Sequence, residues 1–291
     1  IPRKSQIMTT GQENQLKGFD LIHKGKVRDI YRYKSNEILI ITSDRISAFD
    51  FIFNDEIDGK GKILTSLTKY WFRQTKDIIK NHLIDEIPKL ESQLLDRAML
   101  AREARVIPYE AVVRGYLTGS AWNEYKSNQT IGGVNVKSGY KEFDALVNPA
   151  FTPTTKAKVG DKDKPVTFKQ MENNLGKDLA GQIREYSIKL FEFARNSYEK
   201  KGVILVDTKF EFGLDADNKL MLVDEIFTPD CSRFWMKDDV DNKVYNPYDK
   251  QIFRNYLLEI NWDNEQMNLS EDIKNKLIDS YEKIYNKIAN V

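Results

Sequence analysis

Side chains of opposite charge alternate along one short segment of this chain, Val203–Gly213. Asp207, Lys209 and Glu211 fall on every second position, and they alternate with Thr208, Phe210 and Phe212. Because successive side chains of a β-strand point to opposite faces, the segment predicts a strand with one charged and one apolar face. Any fold of this chain has to accommodate such a two-faced strand.

A second apolar segment, Leu220–Glu225, follows within seven residues and ends in acidic residues. The connecting Leu214–Lys219 is rich in Asp and Asn, which is typical of a hairpin turn. A two-residue loop would place Asp224 opposite Glu211, and a four-residue loop would place it opposite Lys209. Either loop length predicts two carboxylates that converge beside a lysine.

Like-charged carboxylates across a strand pair destabilise it unless something neutralises them. Mg2+ is commonly held by one or two carboxylates together with the phosphate oxygens of a substrate. We therefore interpret Glu211 and Asp224 as a candidate metal and nucleotide site. The pattern is also typical of a solvated hairpin face whose acids pair with Lys209 and Lys219, and the strand pattern leaves both interpretations open.

Composition narrows the function classes. The chain has 291 residues, 41% of them hydrophobic and 31% charged, but its net charge is only +1. This balance argues against nucleic acid or an anionic membrane as the main partner. No apolar stretch is long enough to cross a bilayer, and Ile1–Ser5 lacks the apolar region of a signal peptide, so we predict a cytoplasmic protein. With Cys231 as the only cysteine and two distant histidines, chemistry must rest on carboxylates, lysines, arginines and backbone amides.

Three further segments carry candidate anion-binding groups. Lys24–Arg28 contains a glycine among alternating basic residues, which predicts an extended phosphate flap or a plain exposed hairpin. Arg114 ends a predicted strand just before Thr118 and Ser120, good caps for a helix whose N-terminus would suit a carboxylate or phosphate; a structural salt bridge is the alternative. Thr228–Trp235 places an acid, a hydroxyl and a guanidinium close together after a proline.

Helical periodicity predicts three long helices. The first extends to Ile78, the second runs from the capping box Thr167–Gln170 to about Lys200, and the third is capped by Ser270. Residues 126–168 are loop-like and are typical of either a substrate-covering loop or a surface excursion.

Seven segments, taken in chain order, resemble the SAICAR synthetase family of purine biosynthesis. The matching segments are Gly25–Tyr31, Thr42–Asp50, Val113–Trp122, Val206–Gly213, Val223–Glu225, Thr228–Arg233 and Tyr248–Gln251. The resemblance implies an α+β fold with two lobes, antiparallel sheets and an ATP-grasp-like or kinase-like nucleotide cleft. It implies a nucleotide-binding lobe over residues 1–110 and a larger substrate- and metal-binding lobe over 111–291.

The resemblance also implies an activity: ATP-dependent ligation of L-aspartate to the carboxylate of the imidazole ribonucleotide CAIR, giving SAICAR, ADP and phosphate. Chemical analogy favours an acyl phosphate intermediate, because a carboxylate is a poor electrophile. A small-molecule kinase with a related site is the alternative. The expected partners are the small molecules CAIR and L-aspartate, and both a monomer and a homo-oligomer remain open.

Carried over residue by residue, the resemblance assigns roles to three groups. ATP-phosphate contacts are implied for the flap, namely Gly25, Lys26 and Arg28. Mg2+ ligands and catalytic groups are implied on the hairpin, namely Glu211 and Asp224, with Lys209 neutralising charge. Substrate contacts are implied for Ser43, Asp44, Arg45, Arg114, Ser120, Lys209, Asp230, Ser232 and Arg233, and Lys156 is a candidate contact for aspartate.

Overall fold

The fold is given by a computed structural model that describes residues 16, 18–156 and 163–289. The strands are β1 Asp20–Lys24, β2 Arg28–Lys34, β3 Glu37–Thr42, β4 Arg45–Ala48, β5 Phe51–Glu56, β6 Leu83–Ile84, β7 Ala98–Arg102, β8 Arg105–Tyr116, β9 Thr130–Ile131, β10 Val134–Asn135, β11 Ala145–Phe151, β12 Thr154–Thr155, β13 Val203–Leu214, β14 Leu220–Val223 and β15 Ser232–Met236. The helices are α1 Lys60–Gln74, α2 Ser92–Leu95, α3 Gly119–Asn128, α4 Phe168–Leu175, α5 Lys177–Glu199, α6 Lys237–Asp241, α7 Gln251–Glu259 and α8 Glu271–Ile288.

Two antiparallel sheets organise the described residues. The first, with strand order β1-β2-β3-β7-β6, comes from the N-terminal part of the chain. The second has the order β11-β8-β13-β14, and β12 and β15 add to β8 and β13. Helix α5 packs against β13 and β8, and α1 packs against the first sheet. The expected α+β class with antiparallel sheets is therefore confirmed.

The turn between β1 and β2 is the plain hairpin that the sequence left open beside an extended flap. Gly25 N–H donates to the carbonyl of Arg28 at 2.8 Å, and Lys24 pairs with Asp29 across the hairpin. The three basic side chains of Lys24–Arg28 therefore do not line up on one strand face. Of the two alternatives, the structure therefore has the hairpin, because a tight turn occupies the middle of the run.

Strand β13 has the two faces that its sequence predicts. Phe210 and Phe212 are 0% and 1% exposed on the apolar face, where α5 packs. On the charged face, Asp207 and Glu211 are only 7% and 5% exposed. The charged face therefore lines a covered site and is not the solvated surface that the sequence left as an alternative.

The loop of the β13-β14 hairpin has an odd number of residues. Leu214 pairs with Leu220, which leaves the five residues Asp215–Lys219 in the loop. Both even loop lengths are therefore wrong, and Glu211 lies opposite Val223.

Local hydrogen bonds explain this longer loop. The Asp215 carboxylate accepts from the N–H groups of Asp217 and Lys219 at 2.9 Å each, and Asn218 has a left-handed φ of 59°. Asp and Asn are the residue types that stabilise such turns. Asp224 follows β14 with a left-handed φ of 68°, and this turn in the backbone returns its carboxylate to Lys209. The predicted convergence of two carboxylates beside a lysine is thus confirmed. The backbone turn that produces it does not follow from strand alternation.

The helix predictions hold in part. Thr167 and Gln170 form the predicted capping box, and the Ser270 hydroxyl accepts from the N–H of Ile273 at 3.4 Å. The single helix expected to run to Lys200 is instead two, α4 and α5, because the chain breaks at Gly176 with φ 87° and ψ 153°. Helix α1 likewise ends at Gln74, short of the expected Ile78.

One hydrophobic cluster joins the two sheets and the helices between them. It includes Ile40 of the first sheet, Phe210 of the second and Tyr281 of α8. The division into residues 1–110 and 111–291 stays a prediction; its boundary falls inside β8, which pairs with β13.

Some sequence predictions concern residues that the structure does not describe. Ile1–Ser5 and residues 157–162 of the loop-like region lie outside the described ranges. The described part of residues 126–168 contains β9 to β12, and β11 and β12 pair with β8. Across the described ranges, no helix combines the length and the apolarity needed to cross a membrane.

Candidate active site

The carboxylates of the β13-β14 hairpin meet around one lysine. Lys209 Nζ lies 2.8 Å from Glu211 Oε1, 3.3 Å from Asp224 Oδ2 and 3.8 Å from Glu110 Oε1. Lys156 also pairs with Glu211, through the second carboxylate oxygen. The structure thus brings together the predicted catalytic residues and adds Glu110 to them.

Arg28 reaches this carboxylate cluster from the first sheet. Its Nη2 lies 2.8 Å from Asp224 Oδ1, and its Nη1 lies 2.9 Å from Glu225 Oε1. Burial alone would raise the pKa of the Asp224 carboxyl, but Arg28 and Lys209 outweigh burial and hold that pKa below its usual value. Burial opposes the charge of Lys209 as well, and Glu211 and Asp224 nevertheless keep its pKa well above the ordinary value. Asp224 and Lys209 therefore both carry their charges at neutral pH.

The two carboxylates of this cluster are too few to hold a hard cation by themselves. A bound ligand would have to supply further oxygen atoms. In residues 16, 18–156 and 163–289 there is no group of three or more His, Cys, Asp or Glu arranged to hold a metal ion. Glu211 and Asp224 each place one carboxylate oxygen beside Lys209 Nζ, at 2.8 and 3.3 Å, so the two carboxylates lie close together. Two carboxylates plus phosphate oxygens are the usual surroundings of Mg2+, so the pair fits a metal that arrives with a nucleotide.

A second cluster lies further along the same face of β13 and contains two arginines. Arg233 Nη1 is 3.0 Å from Asp207 Oδ2, and Arg114 Nη1 is 3.6 Å from the same oxygen. Arg114 Nε also donates to Thr152 Oγ1 at 2.9 Å, and its Nη2 donates to Ser120 Oγ at 3.1 Å. The predicted meeting of Arg114 with the start of α3 is therefore present. Two guanidinium groups that share one carboxylate leave a net positive charge, which suits an anion.

The first residue of α3 is tightly fitted to the arginine cluster. A Cβ on Gly119 would lie 2.5 Å from Arg233 Nη1, and Gly119 has a left-handed φ of 58°. The left-handed φ favours glycine here, and a side chain would also displace the Arg233 guanidinium. The start of α3 therefore fixes the position of Arg233.

A third cluster surrounds Asp230 and is buried. Lys60 Nζ lies 2.9 Å and Lys250 Nζ lies 3.8 Å from Asp230 Oδ2, and the Tyr281 hydroxyl donates to Oδ1 at 2.6 Å. Burial lowers the pKa of Lys250 to about 8, with Asp230 acting in the opposite direction. The sequence interpretation placed Asp230 at the substrate and missed its three partners. Lys60 and Tyr281 lie far from Asp230 in the sequence, so no local pattern links them to it.

The remaining predicted substrate residues have protein partners. The Ser232 hydroxyl is buried and lies 2.7 Å from Thr208 Oγ1. Asp44 accepts from the N–H of Gly61 at 2.8 Å and from Arg97 Nη2 at 2.7 Å. Their roles toward substrate stay predictions, since the observed contacts stabilise the walls of the site.

Neighbouring side chains contact the predicted flap, Gly25 to Arg28. Arg45 pairs with Asp29 at 2.7 Å and donates to the carbonyls of Gly25 and Lys26. Lys26 Nζ lies 2.5 Å from Asp50 in an exposed pair. Ser43, which was predicted as a substrate contact together with Arg45, donates to the carbonyl of Val27 at 2.8 Å.

Strand β13 links the arginine cluster to the carboxylate cluster. Asp207 belongs to the first and Glu211 to the second, and four residues of extended strand span about 13 Å. An anionic ligand of this length could touch both ends. The alternation of charge in the sequence predicted this shared face. The contacts of Arg28 and Arg233 with it depend on tertiary packing.

Comparisons with known proteins agree on one family. The family model for SAICAR synthetase matches residues 21–269. The phosphoribosylaminoimidazole-succinocarboxamide synthase of Pelobacter propionicus is 45% identical over 254 residues, which cover 84% of this chain and 85% of that protein. The Pichia angusta enzyme of the same name is 39% identical over 97% of this chain and 98% of its own length.

A solved structure adds agreement in three dimensions. The SAICAR synthase of Saccharomyces cerevisiae, in complex with SAICAR, superimposes with a TM-score of 0.84. The two chains are 34% identical, and the match covers 96% of this chain and 98% of the yeast protein. The resemblance noted in the sequence is thus confirmed over nearly the whole chain, which belongs to the SAICAR synthetase family.

Proposed function

We propose that this protein is the ATP-dependent ligase that joins L-aspartate to the carboxylate of CAIR and releases SAICAR, ADP and phosphate. The observation that carries the proposal is the charged face of β13, which connects an arginine cluster with a carboxylate cluster. CAIR carries a phosphate and a carboxylate at opposite ends, and ATP brings a further polyphosphate. A ligand of that charge pattern suits a site with cationic and metal-compatible ends.

The arginine cluster is proposed to hold the CAIR phosphate. Arg114 and Arg233 supply paired N–H donors, and Ser120 adds a hydroxyl at the start of α3. Planar guanidinium groups bind phosphate oxygens in pairs, which fixes the orientation of the ligand as well as its position. The imidazole carboxylate of CAIR would then extend along β13 toward Lys209.

The carboxylate cluster is proposed to hold the nucleotide phosphates together with Mg2+. Glu211 and Asp224 would bind the cation, and Arg28 and Lys26 would contact phosphate oxygens. When bound, Mg2+ neutralises charge on the phosphate groups. Lys209 lies between the two carboxylates and is placed to stabilise negative charge on the group being transferred.

The reaction proceeds in two displacement steps under this proposal. A carboxylate oxygen of CAIR attacks the γ-phosphorus of ATP, the bond to the β-phosphate oxygen breaks, and ADP leaves. The aspartate amine then attacks the acyl carbon, the bond from that carbon to the phosphate-bearing oxygen breaks, and phosphate leaves as the nitrogen loses a proton. The protein contributes mainly position and charge stabilisation, which are the main terms in phosphoryl transfer. Lys156 is the proposed contact for aspartate.

The rival activity, a small-molecule kinase, is not favoured by the family relationship. The two activities differ in their need for aspartate. We expect purified protein with ATP, Mg2+, CAIR and L-aspartate to form SAICAR and ADP in equal amounts, and to form no stable phosphorylated CAIR when aspartate is omitted. A stable phosphorylated product without aspartate would indicate a kinase, and ATP binding without any turnover would indicate a nucleotide-binding module. The cytoplasmic location stays a prediction from the sequence, and the oligomeric state stays open.

A further inference from the structure

One side chain of α8, the last described helix, contacts the segment Thr228–Arg233, which we call the substrate loop. Tyr281 lies on α8, which begins at Glu271, beyond the residues 21–269 that the family model matches. Its side chain is 1% exposed, and its hydroxyl donates to Asp230 Oδ1 at 2.6 Å. Helix α8 packs against α1 and α7, so the tyrosine is held by two neighbouring helices.

The two oxygens of Asp230 have different partners. Oδ2 faces the buried ammonium of Lys60 at 2.9 Å and that of Lys250 at 3.8 Å, whereas Oδ1 receives the Tyr281 hydroxyl. Lys60 comes from α1, Lys250 from the start of α7 and Tyr281 from α8, so the Asp230 carboxylate ties the segment that carries it to three helices.

Hydrogen bonds continue from Asp230 to the nucleotide side of the site. The N–H of Asp230 donates to Thr228 Oγ1 at 3.3 Å, and the Thr228 hydroxyl donates to Glu225 Oε2 at 2.6 Å. Glu225 in turn pairs with Arg28 at 2.9 Å. Thr228 and Glu225 are buried, so this chain of contacts is shielded from water.

We propose that Tyr281 is a positioning residue for the ligase: through its hydrogen bond to the buried Asp230 carboxylate, it holds the Thr228–Arg233 loop, and with it Arg233, in register with the carboxylate cluster. The inference rests on the proposed function, in which Arg233 holds the CAIR phosphate. The C-terminal helix then has a role in substrate binding as well as in the core. Tyr281 touches no reacting atom; it acts through Asp230.

The size of the expected change in the KM for CAIR follows from the type of hydrogen bond that Tyr281 makes. A hydroxyl that donates to an ionised carboxylate makes a charge-assisted bond, which is stronger than a neutral one. We therefore expect Tyr281→Phe to raise the KM for CAIR about tenfold or more. The KM for ATP should change less than about twofold, since Glu225 and Arg28 keep their direct pair. The phenyl ring keeps its packing, so the variant should fold.

The test compares Tyr281→Phe with Tyr285→Phe by steady-state kinetics on the full chain. Tyr285 lies one turn further along α8 and packs against the same hydrophobic cluster, which makes it a matched control. Thermal unfolding of each variant, and calorimetric titration with CAIR alone, accompany the kinetics. A purely structural role would lower the melting temperature and kcat and leave both KM values unchanged.

The expected result is a selective rise of the KM for CAIR, and of its calorimetric Kd, in Tyr281→Phe alone. An unchanged KM for CAIR, an equal rise for CAIR and ATP, or the same effect in Tyr285→Phe would overturn the proposal. If the wild-type protein forms no SAICAR, the proposed function fails instead. The CAIR titration still tests Tyr281 in that case, because it requires binding and no turnover.

Discussion

Removal of the Arg233 guanidinium tests how substrate and nucleotide contacts are divided along β13. In Arg233→Ala, Asp207 loses its partner at 3.0 Å and keeps only Arg114 at 3.6 Å. Both side chains of the pair are more than three-quarters buried, so solvent does not replace the lost contact fully. Unfolding free energy should fall by about 1 to 3 kcal/mol, the cost of leaving a buried polar group poorly satisfied.

The kinetic effect should be of similar size to the stability effect, but it should be selective for CAIR. A hydrogen bond to a charged group contributes about 1.5 to 3 kcal/mol, which corresponds to roughly a tenfold to hundredfold higher KM for CAIR. The KM for ATP should stay within about twofold, because Arg233 belongs to the arginine cluster and not to the carboxylate cluster. Arg233→Lys should lie between wild type and Arg233→Ala, since lysine retains the charge but lacks the planar fork.

The assay measures initial rates of SAICAR formation while CAIR and ATP are varied separately. Arg102→Ala is the control, because Arg102 is an exposed arginine on β7 whose Nη1 donates to a backbone carbonyl at 3.0 Å. Thermal unfolding of each variant identifies losses that come from misfolding. An equal rise of the two KM values in Arg233→Ala would refute the division of the site, and would show that Arg233 only supports the strand.

Two further predictions concern the carboxylate cluster and its surroundings. Glu211→Gln and Asp224→Asn should each lower kcat at least about tenfold while the fold is retained, because each removes one proposed Mg2+ ligand; normal turnover across a magnesium titration in either variant would show that the metal assignment is wrong. His82 is buried, and burial lowers its pKa from 6.5 to about 4. Since the unfolded chain binds this proton at higher pH than the native protein does, stability should fall as pH drops from about 6.5 toward 4, by about 3 kcal/mol for this group. Denaturant titrations at several pH values should show a smaller loss in His82→Phe, and an unchanged pH dependence in that variant would contradict the assignment.

Local patterns predicted the parts of the fold that depend on neighbouring residues. The alternation of charge on β13 and the capping box at Thr167 both appear in the structure as expected. Parts that depend on special backbone angles were missed: Gly176 divides one predicted helix, and Asp224 turns its carboxylate by a left-handed φ. Neither angle follows from periodicity, because periodicity reports only which face a regular element presents.

Partners that lie far apart in sequence were also beyond local reasoning. Lys60 and Tyr281 meet Asp230 only because α1 and α8 pack together beside the substrate loop. The family resemblance supplied most site residues, since it compares whole segments that are known to act together. It supplied no partner for Asp230, and the buried cluster around that residue emerged from the three-dimensional arrangement.

The central claim is that the charged face of β13 activates a carboxylate by phosphoryl transfer so that aspartate can attack it. Oxygen-18 in the imidazole carboxylate of CAIR tests this directly, by mass spectrometry of the products from ATP, Mg2+ and L-aspartate. We predict that one labelled oxygen appears in the released phosphate and one remains in the amide of SAICAR. Unlabelled phosphate released together with SAICAR would contradict the claim.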